Sequence, residues 1–242
     1  MMRKVTVAFF LIVLFNVAAF GADAENNFQA ISAEQAFDAQ VKQVDPTTGE
    51  SSKVALIDIR SAAEYHWIGA PAKVDMIVTT DGKEIKPYLG KVRGVHGHLS
   101  FITQNGDDFK SMFLSSDEVS EIFTDPISIN IPFENWDEDG REMVENKNFK
   151  QEIEALAGKY DVLIIMCRSG KRSSKCDFNS SLFKAVYEID GAKNGRGGFQ
   201  GSSYEDIYNG YRGWPGRRTP NGENKSVSWS DTGLPIHIGW TK

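Results

Sequence analysis

Val162-Leu163-Ile164-Ile165-Met166 runs without a polar residue into Cys167-Arg168-Ser169-Gly170-Lys171-Arg172. Five apolar residues in a row, three of them β-branched, read as a strand covered on both faces, the kind that builds parallel sheets. The six that follow combine a nucleophile, an anion-binding surface and a strand-to-helix turn. Arg168, Lys171, Arg172 and Lys175 are cations with no anion among residues 168–175, in a chain of formal net charge -6. Neighbouring cations and the amides of a helix start both favour a thiolate. The same groups attract an anionic substrate. A cysteine at a strand end can also be a small packed hydrophobe; the basic turn after Cys167 is the feature that separates a reactive thiol from an inert one.

On either side of this stretch, strand and helix patterns alternate. Ser32 is placed to cap a helix that begins in Ile31-Ser32-Ala33-Glu34-Gln35-Ala36. Residues 45–52 are polar with Pro and Gly and read as a loop. Val54-Ala55-Leu56-Ile57-Asp58-Ile59 reads as a buried strand, with a short helix after it over residues 61–65. Residues 127–131 form a further β-rich run. Phe149, Ile153, Leu156 and Ala157 recur at helical spacing, and Gly158 ends that helix. A helix is expected over residues 173–183, with Cys176, Leu182 and Phe183 toward its inner side, and then a strand at Val186-Tyr187-Glu188-Ile189. This alternation indicates an α/β fold with a parallel sheet, whose reactive loops lie at the C-terminal strand ends.

The first residues follow the pattern of a secretory signal over residues 1–24. Arg3 and Lys4 precede 16 mostly apolar residues at 5–20, and small residues follow at Ala22 and Ala24. That run is short of the roughly 20 residues that span a bilayer. Residues 25–242 then form one exported domain, periplasmic if the source is Gram-negative, with no membrane span after signal cleavage. Loss of Arg3, Lys4 and Asp23 takes the net charge from -6 to -7. An acidic chain without an extended basic face argues against nucleic acid as a partner. Residues 191–222 hold nine glycines and begin an extended tail over 191–242.

Three groups of residues resemble the rhodanese (sulfurtransferase) superfamily in its exported bacterial single-domain form. Cys167-Arg168-Ser169-Gly170-Lys171-Arg172 is similar to its six-residue active loop. Leu56-Ile57-Asp58-Ile59-Arg60 with Glu64-Tyr65 resembles its early strand and the acidic-aromatic pair after it. Val186-Tyr187-Glu188-Ile189-Asp190-Gly191, Gly198-Phe199-Gln200-Gly201 and Gly233-Leu234-Pro235 resemble its closing strand and tail. The likeness covers residues 28–235, with 72–125 as an unmatched insertion. It implies a rhodanese-like parallel sheet flanked by helices. Related cysteine phosphatases place an arginine six residues after the nucleophile; here that position is Ser173, and Arg172 stands at five. The smaller ring suits a sulfane sulfur better than a phosphoryl group.

The chemistry implied by this resemblance needs no cofactor and no metal. Cys167 attacks the outer sulfur of a small anionic donor such as thiosulfate and becomes a persulfide. Amides of Arg168, Ser169, Gly170, Lys171 and Arg172 cradle it, while Arg168, Lys171 and Arg172 hold the donor's sulfonate. Cyanide, a thiol or an acceptor protein then takes the sulfur. Asp58 and Arg60 read as structural support. Two other classes stay open: a rhodanese-like module that holds sulfur or an anion for a partner without turnover, and a thiol–disulfide protein using Cys167 and Cys176. Eight residues between those cysteines, rather than two, argue against the latter. Cys176 itself reads as a small packed residue.

Weaker motifs favour bland readings. Asn135, Asp137, Asp139, Gly140 and Glu145 approximate a calcium loop, but position twelve is Asn146. His96 and His98 do not complete a zinc site. His66 reads as packing beside the early helix, and Trp136, Trp214, Trp229 and Trp240 as core or tail packing.

Overall fold

The computed structural model describes residues 28–95, 97–137, 139–168, 172–173, 175–189, 229–232 and 234–237. β1 (Gln29–Ile31) leads into α1 (Ala33–Lys42), β2 (Val54–Asp58) and α2 (Ala62–Trp67). β3 (Ala70–Thr79), β4 (Glu84–Ile85), β5 (Val92–Val95), β6 (His98–Asn105), β7 (Asp108–Ser115) and β8 (Val119–Pro126) follow. The chain then returns through β9 (Ser128–Asn130), β10 (Glu134–Asp137), β11 (Glu142–Glu145) and α3 (Phe149–Glu154). β12 (Val162–Met166), β13 (Ala185–Ile189) and β14 (Ile236–His237) complete it.

The centre is a five-stranded sheet in the order β1-β13-β12-β2-β9, with every pair parallel. The fold is therefore mixed α/β around a parallel sheet, with few helices. β2 and β12 are buried at every residue, which is why they read as continuous apolar runs rather than alternating ones. Their side chains alternate between two cores. Leu56, Ile164 and Met166 join Phe37 of α1 on one face; Ile57, Leu163 and Ile165 join Phe149 and Ile153 of α3 on the other. Each such buried aliphatic side chain contributes about 2 kcal/mol of transfer free energy.

Both early helices start as their capping residues dictate. The Ser32 hydroxyl accepts from Gln35 N at 3.1 Å, and the Gln35 side chain accepts from Ser32 N at 2.9 Å. Ser61 and Glu64 repeat this reciprocal arrangement at α2. His66 lies within α2, edge-on to the Tyr65 ring.

The helix expected over residues 173–183 does not form. A single turn closes with Lys175 N and Cys176 N donating to the Arg172 carbonyl, and a short 3-10 turn occupies Ser180–Leu182. Between them Cys176 and Phe178 are buried while Asp177 and Asn179 are exposed, a two-residue alternation that belongs to extended chain. The Asn179 side chain accepts from Ser181 N and Ser181 Oγ, offering the backbone a local alternative to helix. Leu182 is exposed, and only Cys176 and Phe183 of the expected inner positions are buried.

Most of residues 72–125 form antiparallel β-structure. β3 pairs with β8 and β4, and β5, β6 and β7 form a separate ribbon. Val74, Ile77, Ile85, Val92, Phe101 and Leu114 give this part its own small core. Gly90 (φ 68°) lies so close to β3 that a Cβ there would stand 2.9 Å from the Val74 carbonyl oxygen. Lys91 ties the insertion to α1 through Asp38 at 2.7 Å, and Arg93 pairs with Glu34.

The tail's described residues return to the body. β14 pairs antiparallel with the start of β3, and Trp229, fully buried beside Phe37, donates its indole N–H to the Pro235 carbonyl at 3.2 Å. Trp136, by contrast, is exposed on β10, so packing does not account for it. Trp214, Trp240, His96, the signal-like residues 1–24 and the Gly-rich residues 191–222 lie outside the described residues. Among the described residues, no helix is long and apolar enough to cross a membrane.

Candidate active site

Cys167 is the first residue beyond β12, the middle strand of the parallel sheet. Parallel strands deliver their following loops to one edge, where reacting groups of open α/β sheets gather. The side chain is 1% exposed and packs in the α3-side core with Ile165 and Cys176. Its sulfur lies 3.9 Å from Ser173 Oγ, and the Ser173 hydroxyl donates to Glu188 Oε2 at 3.1 Å. Glu188 reaches this point because it sits on β13 opposite Ile165 of β12 and faces the same core.

Cys176 is also buried, and its thiol donates to the Ser173 carbonyl at 3.0 Å. Burial, and then the nearby charges of Cys167, Glu188 and Asp177, push its pKa up to about 12. Neither cysteine forms a disulfide. A thiol held protonated so far above neutrality is a poor nucleophile and a poor metal ligand. Cys176 is packing material.

Arg172 closes the loop on the other side. Its Nη1 and Nη2 donate to the Glu64 carboxylate at 2.7 and 2.9 Å, and its Nε lies 3.5 Å from Glu134 Oε2. Burial opposes charge on both partners, but the fork outweighs it: Glu64 titrates below the usual glutamate range and Arg172 above its ordinary value. Glu64 also accepts from Ser61 N and Oγ, so one carboxylate caps α2 and anchors the loop. Three guanidinium nitrogens thus face carboxylates of this chain. Arg168 is half-buried next to Cys167, and Ser169, Gly170 and Lys171 lie outside the described residues.

Asp58 and Arg60 pair at the end of β2, both fully buried, with Nη2 to Oδ2 at 2.6 Å. Arg60 Nη2 also reaches the Gly69 carbonyl beyond α2 at 2.6 Å. Asn130 of β9 donates to the Asp58 and Arg60 carbonyls, both at 2.9 Å. These bonds lock the end of β2, the exit of α2 and β9 into one frame beside the cysteine.

The calcium-like run forms the β10–β11 hairpin. Asp137 accepts from the amides of Asp139 and Gly140 across its turn, and Glu145 stands opposite Glu134 in the ladder. Among the described residues, no three His, Cys, Asp or Glu side chains gather as a metal site. His98 lies on β6 and is exposed.

Ser173, Glu134 and Glu188 are site residues that the sequence reading passed over. Glu188 carried a signal, since a carboxylate inside an apolar strand buried on both faces must find a partner. Ser173 entered only as the residue standing where a phosphatase carries arginine. Glu134 gave no local sign; its place follows from β9 lying beside β2. Compared with family models, curated proteins and solved structures, the chain matches none.

Proposed function

We propose that this chain is an exported rhodanese-like sulfurtransferase that moves sulfane sulfur from a small anionic donor, through a persulfide on Cys167, to a thiophilic acceptor. The observation that carries this reading is the seat of Cys167: a cysteine outside any disulfide at the C-terminal end of the central parallel strand, beginning a basic loop. The thiolate attacks the outer sulfur of a thiosulfate-type donor. A Cys–S bond forms, the donor's S–S bond breaks, and the electron pair leaves with sulfite. The persulfide keeps one negative charge, which the loop amides and cations balance. Cyanide, a thiol or an acceptor protein then removes the outer sulfur and regenerates the thiolate.

The geometry refines the roles within the loop. Arg172 is engaged by Glu64 and Glu134, so it anchors the loop and its charge acts on the sulfur through space. Arg168, Lys171 and the backbone amides are the groups proposed to hold the donor's sulfonate. The test is thiosulfate:cyanide turnover by the purified chain beside Cys167→Ser, with intact mass recorded after thiosulfate alone. Thiocyanate and an adduct of one sulfur atom, both lost in Cys167→Ser, are the expected results. An adduct without turnover identifies a carrier that serves a partner protein, and neither signal refutes sulfur transfer.

A further inference from the structure

We propose that the β10–β11 hairpin is the docking arm for a protein acceptor of the sulfur, one that presents a cationic surface around an apolar side chain. This rests on Cys167 carrying the persulfide, as proposed above. The hairpin stands at the reactive loop, where Glu134 of β10 lies 3.5 Å from Arg172 Nε. Its base is fixed: Asn146 N donates to the Phe133 carbonyl at 2.9 Å, and Phe133 packs edge-on against Phe149 in the core. At the far end, Asp137 accepts from the Asp139 and Gly140 amides and sets the turn. Among the described residues, β10 and β11 pair with each other and with no other strand.

A two-stranded ribbon is marginal by itself in water, and the pairs across this one do little to hold it. Glu134 stands opposite Glu145 and Asp137 opposite Glu142, so two of its four cross-strand pairs are like charges. Trp136 stands opposite Met143, and the two are 54% and 41% exposed. Residues two apart along a strand point the same way, so Trp136 and Met143 share the face of Glu134 and Glu145. That face runs from the exposed indole to the side of Arg172. Large apolar groups held side by side in water mark an interaction surface, and tryptophan is among the residues that carry most of the binding energy at interfaces.

The charge selects the occupant. Residues 134–145 carry Glu134, Asp137, Glu138, Asp139, Glu142 and Glu145 against Arg141, a net charge of -5. Such an arm repels nucleic acid, anionic membrane surfaces and a second copy of itself. Val144 on its other face is exposed as well, so the arm projects, whereas small ligands are held in concave sites. A cationic protein surface answers both features. Its lysines or arginines relieve the repulsion within the acidic pairs, with the exposed Glu142 and Glu145 offered to them, and an apolar side chain covers Trp136 and Met143. Docked there, the acceptor brings its thiolate to the outer sulfur on Cys167. A new S–S bond forms on the acceptor, the Cys167 S–S bond breaks, and its electron pair returns to the Cys167 thiolate.

The test uses two synthetic peptides of equal length, each with a cysteine next to a leucine. One is otherwise rich in lysine, and the other has glutamate in place of each lysine. Sulfur uptake from the chain preloaded with thiosulfate should be about tenfold faster or more for the lysine peptide, a lead that shrinks as salt rises. Glu142→Lys/Glu145→Lys and Trp136→Ala should each remove most of that lead and leave cyanide turnover unchanged. Glu50→Lys/Glu84→Lys, an equal change of charge elsewhere on the surface, should keep it. Equal uptake by the two peptides, or a lead that survives in Glu142→Lys/Glu145→Lys, overturns the proposal. So does a concentration-dependent dimer in sedimentation that the same variant dissolves, since a second copy then holds the face. Binding is read separately, with no donor present, from tryptophan fluorescence taken as a difference from Trp136→Phe. The lysine peptide should shift it and the glutamate peptide should not. A shift without any persulfide on Cys167 rejects sulfur transfer and leaves the arm standing as a site for cationic protein. A persulfide with no shift from either peptide does the reverse.

Discussion

Glu64→Gln isolates the charge of the Arg172 fork while leaving the α2 start intact, because glutamine at this position still completes a capping box. The two bonds at 2.7 and 2.9 Å are charge-assisted, and the side chains of Arg172 and Glu64 are 20% and 16% exposed. Stripping one partner from a fully buried pair costs about 3–5 kcal/mol, while an exposed pair contributes about 0–1. At this intermediate exposure, with Glu134 still near Arg172, the expected loss is about 2 kcal/mol. In a chain of this size that lowers Tm by roughly 6 °C. Urea unfolding of the parent, Glu64→Gln, Arg172→Met and the double variant gives the coupling directly, expected near 1.5 kcal/mol. The sign of the pH dependence provides a second check. Glu64 titrates below its ordinary value in the folded chain, so its contribution is present above the unfolded pKa of about 4.3 and is lost as pH falls through the folded value. Parent and variant should therefore converge in acid. A coupling below about 0.5 kcal/mol, or a stability gap that persists in acid, would refute the reasoning.

Arg60→Leu leaves Asp58 uncompensated at zero exposure and should cost about 3–5 kcal/mol in urea unfolding, against less for the joint Asp58→Leu/Arg60→Leu change. Cys176 should resist alkylation in the native chain at neutral pH and react on denaturation, as peptide mapping of labelled protein would show. Its folded pKa is raised, so its share of stability is whole below about 8.5 and is lost as pH climbs toward about 12, a component that Cys176→Ala should remove from alkaline unfolding curves. Trp229→Ala should cost about 3–5 kcal/mol by opening the core beside Phe37, measured by thermal or urea unfolding.

The parallel sheet was legible because its central strands are covered on both faces, so Val162-Leu163-Ile164-Ile165-Met166 and Val54-Ala55-Leu56-Ile57 had to be apolar throughout. The caps at Ser32 and Ser61 were legible for a similar reason: the chemistry that starts those helices is local. Residues 173–183 misled because apolar residues at roughly helical intervals also fit an extended segment that buries Cys176 and Phe178. The insertion stayed opaque since β3 finds its partners far along the chain, in β8 and β14, and no local pattern encodes that pairing. At the site, Cys167 was visible from its neighbours in sequence. The bond from Ser173 beside it to Glu188, and Arg172's contact with Glu134, depended on the order of strands in the sheet.

The seam between Pro71 and Ile236 has a consequence for the order of assembly. Trp229 fills the core beside a helix near the other end of the chain, and β14 completes an edge laid down before the insertion. Such distant closures are slow, since the intervening chain must be gathered before the contact repays its entropy. A ribosome releasing this polypeptide from its N-terminus leaves the first core unfinished until residues 229–237 have emerged. The segment carrying Trp229 and β14 thus works as a latch, setting the core beside Phe37 only after the long insertion has been made.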